Sequence, residues 1–549
     1  MSSKKKAKPI TADSLLSRSL TSEFSDALKS LLIEDGSEKA LYLERTLLTK
    51  FADPTPGQAD LRRSRAIEKW LATEERNALT NDRLRKWGDS KSVHVLPGIS
   101  AKRFLDKVAS VVADVLPWTP SLDIANGGFS GGATTSKGRR HSHPAVKFLD
   151  KADITRPALP LFHAINRGSR WAAHMESGDL DPRIVEGNVM FTVPKNSDID
   201  RCACKEPDLN MFLQKALGNQ IRILLRRKGV NLNDQGVNRE LARRGSIDGS
   251  LMTLDLSAAS DSLTTEFVRR TVPTDWFFYM NLARSERTEI DGQYHTNEMF
   301  SSMGNGFTFE LESLLFYAIT RTVAYFGGFR GKISVFGDDI IAPAPMADDL
   351  ISALEFCGFR TNPDKSFWEG PFRESCGAHW HGGLDISPFF IRGPFRSISD
   401  LILTLNQLTS WASREIGVVD PHYEGLIMKY ASEYIPTELW GGSDLTSRVS
   451  LVSGDSPRSE LFYPTEDKPI LHVGGLLLWL FNTVERQHCG CLSVSSSSLP
   501  AFARIRKRRR FATVYHTIYE GVKPRRVAVQ TDVELAEHDV PVFLTRYGQ

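Results

Sequence analysis

Residues 333–341 read ISVFGDDII. Runs of β-branched and aromatic residues flank a Gly-Asp-Asp, so the stretch predicts strand, tight turn, strand, with Gly337 allowing the sharp backbone path. No other short stretch constrains the fold as strongly. Its strands ask to be buried, while two adjacent carboxylates, Asp338 and Asp339, emerge at their tip. Adjacent carboxylates repel each other. Two readings answer that repulsion: a solvated Asp-Asp turn, or a site for a hard cation such as Mg²⁺, which is commonly held by one or two carboxylates together with substrate phosphates.

A second acidic stretch bears on the choice. GSLMTLDLS (249–257) alternates as a strand, with Leu251, Thr253 and Asp255 on one face and Met252, Leu254 and Leu256 on the other. LDLSAASDS (254–262) thus sets Asp255 at a strand end, with Asp261 six residues on. Enough chain separates Asp255 from Asp338 for a helix and connections between neighbouring strands. Side by side, the two could share a pair of cations about 4 Å apart, one activating an attacking hydroxyl and the other holding a leaving phosphate. A helix or turn cap is the competing reading for Asp255 alone.

The rest of the chain supplies a large globular frame. Its 549 residues predict several packed subregions, and 41% hydrophobic with 9% aromatic residues excludes global disorder. A net charge of +3 neither demands nor excludes a nucleic-acid partner. Six cysteines show no regular framework and read as reduced thiols of a cytosolic protein. The basic MSSKKKAKPI (1–10) reads as a mobile tail, not a secretory signal. ILHVGGLLLWLF (470–481) is too short to span a bilayer and reads as core. Helical spacing runs from Ser14 to about Lys86 and over 205–245, 307–326 and 397–412, the last with Ser399 or Asp400 as cap. In the third, Phe307, Leu311, Leu314, Leu315 and Ala318 form the apolar stripe and Gly327–Gly328 the stop. NGGFSGGATTSKGRRHSH (126–143) reads as loop, and its lysine is misplaced for a Walker phosphate loop. SVSSSSLP (493–500) reads as a flexible loop. RIRKRRR (504–510) reads as a phosphate contact or a solvated tail. Cys376-Gly-Ala-His379-Trp-His381 and His488-Cys489-Gly-Cys491 lack the paired spacing of a zinc site.

Taken in order, LDLSAASDS, SSMGNGFTFELES, VFGDDI and GFRTNPDKSF resemble the palm motifs of RNA-dependent RNA polymerases. Together with FTVPKNSDIDR (191–201), NLNDQ (231–235) and FRESCG (372–377), they are most similar to the replicase β-subunits of small positive-strand RNA bacteriophages, the Qβ-like group. The likeness spans roughly 126–415. It implies an α+β right-hand polymerase, with a palm built on an antiparallel sheet, and with fingers and thumb. The implied segments are 1–245 for the N-terminal region and fingers, 246–271 and 299–395 for the palm, 272–298 for a fingers insertion, and 396–549 for the thumb and C-terminal region.

The resemblance also implies roles. Asp255 and Asp338 match the metal-binding carboxylates and Asp339 the third acid of the metal site, for two Mg²⁺ ions with Mn²⁺ as an alternative. Asp261 matches the residue that senses the ribose 2′-hydroxyl. Ser302, Gly304, Asn305 and Thr308 match the loop and helix start that hold template and incoming nucleotide. Many relatives carry Asn where this chain has Glu312, so Asn305 stands as a substitute in the ribose network. Lys195 and Arg201, with Lys205 as a weaker third, match finger cations over the triphosphate. Lys365 matches the lysine that protonates pyrophosphate, a role that requires its surroundings to lower its pKa.

The implied reaction is RNA-templated RNA synthesis from NTPs with release of pyrophosphate. The implied partners are RNA template and product, host translation elongation factors Tu and Ts, and a ribosomal small-subunit protein, in the host bacterial cytoplasm and without a membrane. Two rival readings remain. A reverse transcriptase would usually place a bulky side chain in the small, polar SAASD stretch. A non-catalytic RNA-binding protein would gain nothing from carboxylates facing phosphate.

Overall fold

A computed structural model describes residues 15–435, apart from Ile124, Ala125, Arg140, His141, His143, Arg396, Ser397, Ile416 and Val418, together with strands at 461–463, 506–514 and 525–534. The tail 1–10, the apolar stretch 470–481, the serine-rich loop 493–500 and the His488–Cys491 cluster lie outside the described residues.

Strands Ser334–Phe336 and Asp339–Pro343 form the predicted hairpin, with Phe336 paired to Asp339 across a two-residue turn. Gly337 takes φ +60° there, and a Cβ would meet the Phe309 ring at 2.7 Å, so both backbone and space require glycine. The hairpin's second strand pairs antiparallel with Leu251–Leu254, giving a three-stranded sheet with Leu251–Leu254 at one edge. All four residues of that edge strand are buried. The alternation read from sequence therefore does not separate an inner from an outer face. Helices cover the sheet, among them Gly236–Asp248 and Thr308–Gly327.

Helix Thr308–Gly327 has the predicted stripe. Phe307, Leu311, Leu314, Leu315 and Ala318 are all fully buried, and Gly328 closes the helix at φ +67°. The helix packs against Ala101–Val115, Asp208–Arg227 and Ala347–Cys357 in one large core. A separate four-stranded sheet runs Gln293–Thr296, Arg287–Ile290, Asn188–Pro194, Asp200–Lys205, with one parallel pair between the middle strands. A third sheet, Phe372–Ser375, Ala378–His381 and Leu384–Asp385, contains the FRESCG hairpin.

The N-terminal helices pack on each other and on residues far along the chain. Leu15–Asp35 and Glu38–Thr46 form a second core with Phe389, Phe395 and helices Ile398–Ala412 and Pro421–Tyr434. Phe24, fully buried, meets Phe395 and Tyr430 edge-on at 5.7 and 5.0 Å. Helix Ile398–Ala412 starts ahead of both residues read as its cap, so Ser399 and Asp400 lie in its first turn. Most of the basic run falls on strand Arg506–Val514, paired antiparallel with Arg525–Glu534.

Candidate active site

Asp255 stands where its strand changes partners. Leu251–Leu254 pairs with the aspartate hairpin, while Leu256–Ser257 pairs with Arg360–Thr361. At the switch Asp255 would lose its ladder bonds. Instead its N–H donates to Ser366 Oγ (3.1 Å) and its carbonyl accepts from the Asn362 N–H (2.8 Å). Asn362 Nδ2 also donates to its carboxylate at 2.8 Å. The break in the ladder thus fixes the side chain at the floor of a cavity of about 720 Å³.

Residues from distant segments wall that cavity. Asp255, Ser260 and Asp261 come from the strand switch and the turn after it, Asp338 from the hairpin tip, and Asn362 and Lys365 from the GFRTNPDK turn. Asp200 and Arg201 come from the four-stranded sheet, Lys195 from the loop between its strands Asn188–Pro194 and Asp200–Lys205, and Lys69 from helix Pro56–Trp87. Gly304, Asn305, Thr308 and Glu312 also line it. Nine of the twelve residues given a site role from the sequence, all but Asp339, Ser302 and Lys205, therefore line one cavity.

Electrostatically the floor is acidic and the rim basic. Burial raises the Asp255 carboxyl above its ordinary value, and Asp338 adds to the rise against Lys365 and Asn362. Asp261 is pushed up to about 7 by burial and by Glu74, although the Met303 N–H, Arg201 and Lys195 oppose it. Burial, Arg201, Lys69 and Lys365 pull Lys195 down. Four like charges at that rim are what a polyanionic ligand would relieve.

Four sequence readings change. Asp339 does not line the cavity. Its carboxylate turns to the neighbouring hairpin, where Ser375 Oγ donates to it at 3.2 Å and the Cys376 N–H holds it as well. The register explains this: Asp338 occupies the free turn, whereas Asp339 is already in the ladder. Ser302 is buried and does not line the cavity either. It serves buried Glu206, which gathers Asn188, Gln214, Ser285 and Ser302 as donors. Lys205 lies three residues beyond the last cavity-lining residue of its strand, Cys202, and is outside the lining. Lys365 is the fourth. Burial lowers its pKa, but Glu374, at 3.3 Å, and Asp255 more than offset this, so the pKa is raised and the condition for general-acid work is not met in this state.

Other cavity residues carried no sequence signal or only an ambiguous one. Lys69 looked like any lysine on a long polar helix. Asn362 sits inside a quoted motif, yet its hold on Asp255 follows from the strand switch. Glu312 is buried, accepts from Ser260 Oγ at 2.7 Å, and is pushed up to about 8 by burial, Asp338 and Asp261. A carboxyl that keeps its proton near neutrality can donate a hydrogen bond, as an asparagine there would. Asn305 uses its carbonyl oxygen on the Phe307 N–H, while its Nδ2 is buried without a partner among the described residues. Gly304 has φ +115°, and a Cβ there would lie 2.2 Å from the Cys204 carbonyl oxygen, so only glycine fits.

Among the described residues no three acid, histidine or cysteine side chains converge as a ready metal site. Of the three acids matched to the metal site, the two that line the cavity, Asp255 and Asp338, offer an all-oxygen set suited to a hard cation whose remaining positions go to water and phosphate.

The RNA replicase, beta-chain family model matches residues 2–459. The RNA-directed RNA polymerase beta chain of Enterobacteria phage fr is 37% identical over 80% of this chain and 81% of its own. That of Escherichia phage MS2 is 36% identical over 80% and 81%. The RNA-directed RNA polymerase subunit beta of Escherichia virus Qbeta is 36% identical over 84% and 78%. Among solved structures, a BmCPV RNA-dependent RNA polymerase at elongation state aligns with 60% of this chain and 33% of its own, at TM-score 0.37 and 14% identity. With a family model over most of its length and relatives above 35% identity, the chain belongs to the RNA replicase β-chain family.

Proposed function

We propose that the chain catalyses RNA-templated addition of NMP from NTP to the 3′ end of growing RNA, with release of pyrophosphate, in replication of a phage genome. The observation that supports this most directly is the meeting of Asp255 and Asp338, from two adjacent strands, beneath a rim formed by Lys69, Lys195, Arg201 and Lys365.

Asp255 and Asp338 would hold Mg²⁺ or Mn²⁺, which when bound supplies Lewis-acid activation of the attacking hydroxyl and neutralises phosphate charge. Asp339 supports them from beneath, anchored by Ser375 and Cys376. Lys195 and Arg201 lie over the triphosphate and offset charge that grows on the leaving group. Lys365 acts first as a fixed cation and becomes a proton donor to pyrophosphate only once substrate changes its surroundings. Asp261 accepts from the ribose 2′-hydroxyl, a bond a deoxynucleotide cannot make. Glu312 and Asn305 lie within the same cavity and support that choice.

In right-hand terms, the three-stranded sheet and its helices are the palm, and the four-stranded sheet belongs to the fingers. Residues 15–47 join those from 389 to 435 as the thumb, sharing one core. Elongation factors Tu and Ts and a ribosomal small-subunit protein, in the host cytoplasm, are proposed as partners from family membership. Among the described residues no helix is long and apolar enough to cross a membrane.

The test is rNMP incorporation by the purified chain, with and without those host factors, on a defined RNA with Mg²⁺. RNA-dependent incorporation supports the reading. Its absence under both conditions, with RNA still bound, would favour a binding protein. Preference for dNTP would favour a reverse transcriptase.

A further inference from the structure

Behind the Ser257–Ala258 backbone lies a second cavity, of about 230 Å³. It shares Lys69, Ser257 and Ala258 with the catalytic cavity, so the two are adjoining chambers. Its remaining walls include Arg76 from helix Pro56–Trp87 and Arg360 and Thr361 from the strand that pairs with Leu256–Ser257.

The chamber carries positive charge without an answer. Lys69, Arg76 and Arg360 line it, and no acidic side chain does. Among the described residues none of the three forms an ion pair with a carboxylate. Arg76 donates to Thr73 Oγ1 at 2.7 Å, and the acid that acts on its charge is Glu75, an exposed residue outside the lining. Burial and the facing charge of Arg360 both work against the Arg76 guanidinium. Thr361 Oγ1 is buried with no partner among the described residues. Two guanidiniums, an ammonium and an unused hydroxyl around one space are a donor set for a small polyanion. Size narrows the choice: the volume lies below the roughly 300 Å³ at which pockets begin to hold drug-sized ligands, so a diphosphate suits it better than a whole nucleotide.

We propose that this chamber binds inorganic pyrophosphate, receiving the leaving group from the catalytic cavity past Lys69. The proposal rests on the polymerase reading for where the pyrophosphate comes from, and its binding test does not depend on turnover. In nucleotide addition the α-phosphorus forms a bond to the RNA 3′ oxygen and loses its bond to the β-phosphate oxygen. The diphosphate leaves with that bonding pair, and the chamber accepts it without further covalent change. A route lined by Arg76 and Arg360 draws product away from the carboxylates and limits the reverse reaction.

Arg360→Gln and Arg76→Gln test this in the full chain. Arg360 is exposed and its pairing to Ser257 is through backbone alone, so folding is retained. Calorimetric titration with pyrophosphate, without RNA or NTP, should show affinity lowered about tenfold in Arg360→Gln, the scale of one charge-assisted hydrogen bond. Under turnover, inhibition by added pyrophosphate should weaken by a similar factor, while kcat and the KM for NTP without added pyrophosphate stay within about twofold. Lys195→Ala, by contrast, should raise the KM for NTP. Unchanged pyrophosphate affinity in both variants would overturn the proposal. So would a KM for NTP that rises in step with the inhibition constant, which would make the chamber a path for incoming NTP. Loss of incorporation in the wild type alone would count against the polymerase reading and leave the titration to decide the site.

Discussion

Ile340 pairs with Leu254 in the antiparallel ladder, the last rung before each strand reaches its carboxylates. Asp255 follows Leu254 directly, while the hairpin places Asp339 in its ladder and Asp338 in its turn. One register therefore gives Asp255 and Asp338 to the cavity and Asp339 to the neighbouring sheet. Asp255→Asn or Asp338→Asn should lower single-turnover incorporation by at least ~10³-fold, since several kcal/mol of charge stabilisation vanish. Asp339→Asn keeps an acceptor for Ser375 and Cys376 and should lose far less, roughly tenfold by loss of charge beneath the site. The check is the rate over a Mg²⁺ titration, with RNA binding measured in parallel. Equal losses at Asp338 and Asp339 would contradict the division of labour.

Asp261 faces the same cavity and is held by the Met303 N–H, so its position does not depend on substrate. Asp261→Ala should reduce the rNTP over dNTP preference by about 10- to 100-fold, because the 2′-hydroxyl then finds no built acceptor. Competition between rATP and dATP on one template reads this directly. An unchanged ratio would move ribose selection to Asn305 or Glu312.

The pKa of Glu312, pushed up to about 8 in the fold, makes a stability prediction. Unfolded, a glutamate titrates near 4.3. Between those values the folded chain holds a proton that the unfolded chain has released, so stability falls as pH rises through the window, by up to a few kcal/mol. Glu312→Gln keeps an acceptor for Ser260 and carries no charge. Urea unfolding without metal should show the variant gaining on the wild type from pH 5 to pH 8.5. A constant difference across that range would show that Glu312 ionises freely in the fold.

Local pattern made much of this molecule legible. The hairpin at 333–341 and the helix after Phe307 follow from residue spacing, and the ordered motifs identify the acids. What escaped depends on partners far along the chain. Ser302 faces inward because Glu206, 96 residues away, is buried and needs donors. Asp339 turns from the cavity because Ser375 waits in another hairpin. Helix Leu15–Asp35 reads as amphipathic, but nothing in its spacing says that Phe24 will pack on Phe395 and Tyr430. Lys69 needs the whole fold to reach the cavity.

The last prediction concerns a polar chain that runs from the N-terminal helices to the cavity. Tyr42 Oη lies 2.7 Å from His379 Nδ1, His379 Nε2 lies 3.5 Å from Glu374 Oε1, and Glu374 Oε1 lies 3.3 Å from Lys365 Nζ. Glu374 raises the pKa of Lys365 and also that of Asp255. Removing its charge lowers both. Glu374→Gln should therefore move the alkaline limb of the incorporation rate to lower pH, by about one unit or less, with any acid limb set by Asp255 moving the same way. The shape of the profile is kept while its position shifts, which a merely misfolded variant would not reproduce. Tyr42→Phe leaves the charge of Glu374 in place and should shift the profile less. A profile fixed in pH with only its height reduced would mean that Glu374 serves packing and leaves the charge of Lys365 to other groups.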